Sequence, residues 1–104
     1  GRTPLIEAAG NGHKSAASLL LLWGADASVA DDLGRTPLIE AAQNGHKAMI
    51  QLLLENGADL SATDDRGRTP LTEAAQNGHR AVVQLLIDFG AAISTADNAG
   101  RTPL

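Results

Sequence analysis

The stretch GRTPLIEAAQNGHKAMIQLLLENGADLSATDDR, residues 34–66, decides the fold, because the chain is built by repeating it. Gly-Arg-Thr-Pro-Leu begins at Gly1, Gly34, Gly67 and Gly100, each start 33 residues after the last (34 − 1, 67 − 34, 100 − 67), with no insertion or deletion. A strict period of this size means stacked copies of one supersecondary unit, in which neighbours bury each other's apolar faces. Such a stack presents a long surface and encloses no pocket.

Within the unit, Thr36 is placed to cap the free N–H groups of a helix, and Pro37 suits the first helical position, where its missing donor would be unpaired anyway. Leu38, Ile39, Ala41 and Ala42 make that helix short and apolar, with small residues that admit a close neighbour. Asn44-Gly45 ends it, Gly45 being suited to the left-handed position past the helix end. A second helix is predicted from about His46 to Asn56, with Ile50, Leu53 and Leu54 on one buried face. Gly57 stops it. The polar stretch from Ala58 to Arg66 reads as an extended connection with a hairpin-like tip at Asp65-Arg66-Gly67. The same helix, turn, helix and protruding loop are expected in residues 1–33 and 67–99.

These residues resemble the ankyrin repeat over the whole chain. The shared features are the 33-residue period, TPL opening the first helix, AA within it, then NGH, LL and GA, with Asp31, Asp64 and Asp97 one period apart. The resemblance implies an all-α solenoid of stacked antiparallel helix pairs with projecting β-hairpin-like loops. It further implies one domain over residues 1–104, with units 1–33, 34–66 and 67–99 and a partial fourth at 100–104. Two departures stand out. Where the family has His after TPL, this chain has Ile6, Ile39 and Thr72, and the next position is Glu7, Glu40 and Glu73. One arrangement these residues allow is a ladder of those carboxylates with Arg2, Arg35, Arg68 and Arg101. Exposed pairs of that kind would stabilise by only about 0–1 kcal/mol each.

Composition narrows the activity. Aromatics are 2% of the 104 residues, Trp23 and Phe89 alone, so no large aromatic-lined ligand cavity is expected. Net charge is −4, which gives no general attraction for phosphate backbones, and the Arg residues near the tips are interleaved with Asp and lack aromatic neighbours for base stacking. Nucleic acid is therefore not an expected partner. No apolar run is long enough to span a bilayer, no signal peptide is visible, and cysteine is absent. An intracellular, cytoplasmic setting is the expectation.

His13, His46 and His79 recur one period apart, and stacked units lie about 10 Å apart, too far for equivalent rings to share a metal whose ligands sit about 2 Å away. They read as rings bonded to the backbone of the neighbouring loop. No nucleophile elbow, HExxH or phosphate loop occurs, and no cofactor is implied. The expected activity is non-catalytic protein recognition through the tips and first-helix ends. Asp32, Leu33, Arg35, Asp65, Arg66, Arg68, Asn98 and Arg101 mark the tips, and Gln43, Asn44, Gln76 and Asn77 mark the helix ends. Leu33 is apolar at a tip, and Trp23, late in a second helix, reads as a partly exposed packing residue. Neither end of the chain has a polar outer face, so end-to-end self-association through the terminal units is a rival role, and an engineered repeat array is another.

Overall fold

The computed structural model describes the backbone of residues 1–97 and the side chains of residues 1–90. Six helices follow in order: α1 (Pro4–Gly10), α2 (Lys14–Leu22), α3 (Pro37–Gln43), α4 (Lys47–Glu55), α5 (Pro70–Gln76) and α6 (Arg80–Asp97). No strand occurs among the described residues. Helices α1, α3 and α5 stack in one row, α2, α4 and α6 in a second, and each first helix also packs on the helix that follows it.

The local devices explain why the same unit forms each time. Thr3, Thr36 and Thr69 cap the first helices, their hydroxyls accepting from the N–H of Ile6, Ile39 and Thr72 at 3.1, 3.2 and 3.1 Å. In the third copy the bond is reciprocal, because Thr72 Oγ1 also accepts from Thr69 N–H at 2.8 Å. At the far end of α3, Gly45 N–H reaches Ala42 O at 3.3 Å and His46 N–H reaches Ala41 O at 3.0 Å. That paired closure needs a residue with positive φ, and Gly45 supplies it at 74°.

Stacking then does what such short helices cannot do alone. Leu38, Ile39, Ala41, Ala42, Ile50 and Leu53 of the middle copy are 0% exposed. The first connecting loop turns at Asp31–Gly34 and the second at Asp64–Gly67, each closed by a glycine N–H onto the Asp carbonyl at 3.0 and 2.9 Å. Asp31 Oδ1 accepts from the N–H of Leu33 and Arg35, and Asp64 Oδ1 from those of Arg66 and Arg68. The two fingers are tied to each other where Asp65 N–H donates to Leu33 O at 2.9 Å.

The third copy departs from the expected pattern. Instead of stopping near Gly90 and giving way to a finger, α6 runs on to Asp97. Gly24 and Gly57 end α2 and α4 with φ of 99° and 85°, whereas Gly90 has no positive φ. The physical reason lies two residues on. After Gly24 and Gly57, Asp26 and Asp59 accept from the N–H of Ser28 and Ser61 at 2.8 Å, a local turn that competes with helix. The matching residue is Ala92, which offers no such acceptor and is the strongest helix former. Ala92→Asp is therefore expected to end α6 near Gly90, reducing the far-ultraviolet helical signal by the share of residues 91–97. Unchanged helicity would sink this explanation.

Candidate functional site

The helix and finger geometry brings Arg and carboxylate side chains from all three copies into one line. Arg2 pairs with Glu7, with Asp31 at 3.4 Å and with Glu40 at 2.9 Å. Arg35 Nε bonds Glu40, its Nη1 bonds Asp64 at 2.8 Å, and its Nη2 bonds Gln43 Oε1 at 2.6 Å. Arg68 Nε meets Asp64 at 2.9 Å and Glu73 at 3.1 Å. Each guanidinium serves its own copy, and Arg2 and Arg35 also reach the next copy. The ladder allowed by the sequence is present from Arg2 to Glu73. Arg101, its fourth cation by sequence, lies outside the described residues.

Its energetics differ from those expected of exposed pairs. The side chains of Asp64, Glu73 and Arg35 are 1%, 2% and 7% exposed. For Asp64, burial alone would push the carboxyl up, but the N–H groups of Arg68 and Arg66 and the Arg68 guanidinium outweigh it and hold the group down at about 2. Burial likewise opposes ionisation of Glu40, and bonds from Arg35 and Arg2 overcome it, placing its pKa below the ordinary value. Arg35 feels the same contest, and its carboxylate neighbours raise its pKa. The network is thus a partly buried framework in which three guanidinium groups face five carboxylates.

That framework sorts the sequence-predicted contact residues. Arg35 is buried and fully engaged, Gln43 is half-buried against it, and Arg68 is half-buried beside Asp64 and Glu73. Asp32, Leu33, Asp65 and Arg66 stand exposed at the tips, and Asn44, Gln76 and Asn77 are exposed at the helix ends. Asn44 and Asn77 also donate to the carbonyls of Glu40 and Glu73 at 3.0 and 2.8 Å, closing their own helices. Asn98 and Arg101 lie outside the described residues.

Two of the three histidines are framework too, whereas His13 is exposed. His46 Nε2 is 3.1 Å from Gly10 O, and His79 Nε2 is 2.8 Å from Gln43 O, so each ring donates to the last carbonyl of the preceding copy's first helix. Among the described residues no group of His, Asp or Glu is placed to hold a metal ion, and no helix is long and apolar enough to cross a membrane.

One surface escaped the sequence reading. Trp23 is 81% exposed and Leu22 82%, so Trp23 is no packing residue. The signal was available by comparing copies, since the positions hold Glu55 and Asn56 in the second.

Comparison with known proteins supplies the family. Models described as "Ankyrin repeats (3 copies)" and "Ankyrin repeats (many copies)" match residues 1–64 and 45–87. The crystal structure of the human ASB11 ankyrin repeat domain is similar at 37% identity and a TM-score of 0.82. The alignment covers 86% of this chain but only 40% of that one. Matching chains of solved structures number 498, so likeness of fold selects no partner. No curated protein matches.

Proposed function

The chain belongs to the ankyrin-repeat family, and from that premise we propose that it is a protein-recognition module reading its partner with the finger tips and the adjoining first-helix ends. Members of the family are generally protein-protein interaction modules without catalytic activity and are commonly intracellular, and the proposal places this protein inside the cell, in the cytoplasm. The observation that carries it is the division of labour among charged residues. Arg35, Glu40, Asp64 and Glu73 are buried in the ladder, while Leu33, Asp65 and Arg66 are exposed at the tips, as is Asp32, whose carboxylate meets the Gly1 ammonium at 3.1 Å.

A surface of this kind binds by rigid presentation. The tips are fixed by turns and by the Asp65–Leu33 backbone bond before any partner arrives, so little further ordering opposes association. Leu33, 62% exposed between carboxylates, supplies apolar area, and Arg66 supplies a directional cation. In this reading Arg35 and Arg68 act as supports for the tips, and the three units 1–33, 34–66 and 67–99 work as one domain.

Site-specific photocrosslinking tests it. A photoreactive residue at Leu33 or Arg66, carried by the full chain in a lysate of the source cells, should give discrete protein adducts. The same residue at Gln51, exposed on α4, should not. Equal labelling from all three positions, or none from the tips, would overturn the assignment.

A further inference from the structure

We propose that Asn56 and Asn77 are sites of spontaneous deamidation in the folded chain, whereas Asn11 and Asn44, each also followed by glycine, are shielded by a histidine of the next copy. The chain has four Asn-Gly pairs, Asn11-Gly12, Asn44-Gly45, Asn56-Gly57 and Asn77-Gly78, and all four asparagines are exposed. In such a pair no side chain obstructs attack by the glycine nitrogen on the asparagine amide. That nitrogen gives its proton to a solvent base and bonds to Cγ. The Cγ–Nδ2 bond breaks, and ammonia leaves as a succinimide ring closes. Water then adds across one of two ring C–N bonds, giving aspartate by one route and isoaspartate by the other. Nothing is oxidised or reduced.

Ring closure requires the glycine nitrogen to eclipse Cβ of the asparagine. The ψ angles of Asn11, Asn44, Asn56 and Asn77 are 1°, 1°, 18° and 7°, so each glycine nitrogen lies close to eclipsing the asparagine's own nitrogen instead. The N–H of Gly12 and Gly45 donates to a helix carbonyl at 3.3 Å, and that of Gly57 and Gly78 at 3.2 Å. Each asparagine amide also donates to the carbonyl four residues back, at 2.8 to 3.0 Å. Reaction therefore waits until the helix end frays and the Asn-Gly peptide rotates, a local opening of the kind that folded proteins undergo without unfolding globally.

The four junctions are alike to this point, and their neighbours separate them. A Cβ on Gly12 would lie 2.9 Å from the His46 ring, and one on Gly45 would lie 2.7 Å from the His79 ring. Those rings are held in place by Gly10 O and Gln43 O, so rotation of the peptide drives the glycine against a fixed group. Around Gly57 and Gly78 nothing among the described residues comes within 4 Å of the same position. Both of these glycines are exposed, whereas Gly12 and Gly45 are half-buried. The product matters locally. At Asn56 the new carboxylate stands beside Glu55 at the C-terminal end of α4, where the helix dipole disfavours negative charge. At Asn77 it adds a charge to a first-helix end, and isoaspartate at either site lengthens the backbone within the turn that closes the helix.

Peptide mapping by mass spectrometry of the full chain, held folded at mildly alkaline pH and sampled over time, tests the proposal. Enzymatic methylation of isoaspartate gives an independent readout. Asn56 and Asn77 should deamidate about tenfold or more faster than Asn11 and Asn44, because local openings differ widely in free energy across one fold. In concentrated urea, where neither the turns nor the rings act, the four rates should converge. His79→Ala should raise the rate at Asn44 and leave Asn11 unchanged, and His46→Ala should do the reverse, with circular dichroism showing that each variant is folded. Equal rates at the four sites of the folded parent would overturn the proposal, whatever the variants do. So would Asn44 reacting as fast as Asn56, or a folded His79→Ala variant in which Asn44 is no faster. None of these rates bears on the tips, where crosslinking decides separately.

Discussion

Arg35→Met is expected to lower the free energy of unfolding by about 3–5 kcal/mol, because it leaves buried carboxylates without their cation. Glu40, Asp64 and Glu73 all face this guanidinium, and Gln43 loses its donor as well. Against a total stability of about 5–15 kcal/mol for a domain, that is a large fraction. Arg35→Lys should recover only part of the loss, since the three bonds leave three separate nitrogens of the guanidinium and a single ammonium nitrogen cannot reach all three acceptors. Urea denaturation with an unchanged slope and a lowered midpoint is the readout. A change within about 1 kcal/mol would mean the ladder behaves as exposed pairs do, contrary to its burial.

The same network sets the acid response. The folded pKa of Asp64 is depressed to about 2 from 3.8, so the stability it contributes is fully present above about pH 4 and is lost as pH falls toward 2. The shift at Glu40 has the same sign. In Arg35→Met the direction reverses for the abandoned carboxylates, which protonation relieves. The deficit relative to the parent should therefore shrink on acidification, and a deficit independent of pH would count against the electrostatic explanation.

Gly45→Val is expected to be comparably severe, at about 3 kcal/mol or more. A φ of 74° is strained for a β-branched residue, and such strain costs of order 1–3 kcal/mol by itself. An added Cβ would also lie 2.7 Å from His79 Nδ1 and 2.8 Å from its Cε1. The ring cannot withdraw freely, because its Nε2 is held by Gln43 O. Gly57 separates the two causes: its φ is 85°, yet a Cβ there meets nothing within 4 Å among the described residues. Gly57→Ala should cost only the backbone strain, and Gly45→Ala should cost more. Thermal melts of both variants measure the difference. Equal melting temperatures would show that the His79 contact is unimportant.

Much of the candidate site could be read from residue order alone, and the reason differs by residue. The tips at Asp32-Leu33 and Asp65-Arg66 follow from turn chemistry, which is local. The fate of Arg35 and Glu40 is not local. Both are ordinary surface residue types, and they are buried because Asp64 of the same copy and Glu73 of the next close over them. Trp23, expected as a partly exposed packing residue, is instead 81% exposed, because sequence order alone does not say which way a side chain late in the second helix points. The end of α6 was misread because Gly90 carried the weight that Asp26 and Asp59 share with glycine in the other copies.

The sequence by itself determined the repeating unit of this protein, its helix starts at Thr-Pro, its stops at Asn-Gly and its family. Each of these rests on interactions within a few residues or on a strict period of 33. Only the tertiary structure decided which charged side chains are framework and which are free to meet a partner. That assignment depends on what the neighbouring copy covers, and burial is a property of the stack that no single unit's sequence contains.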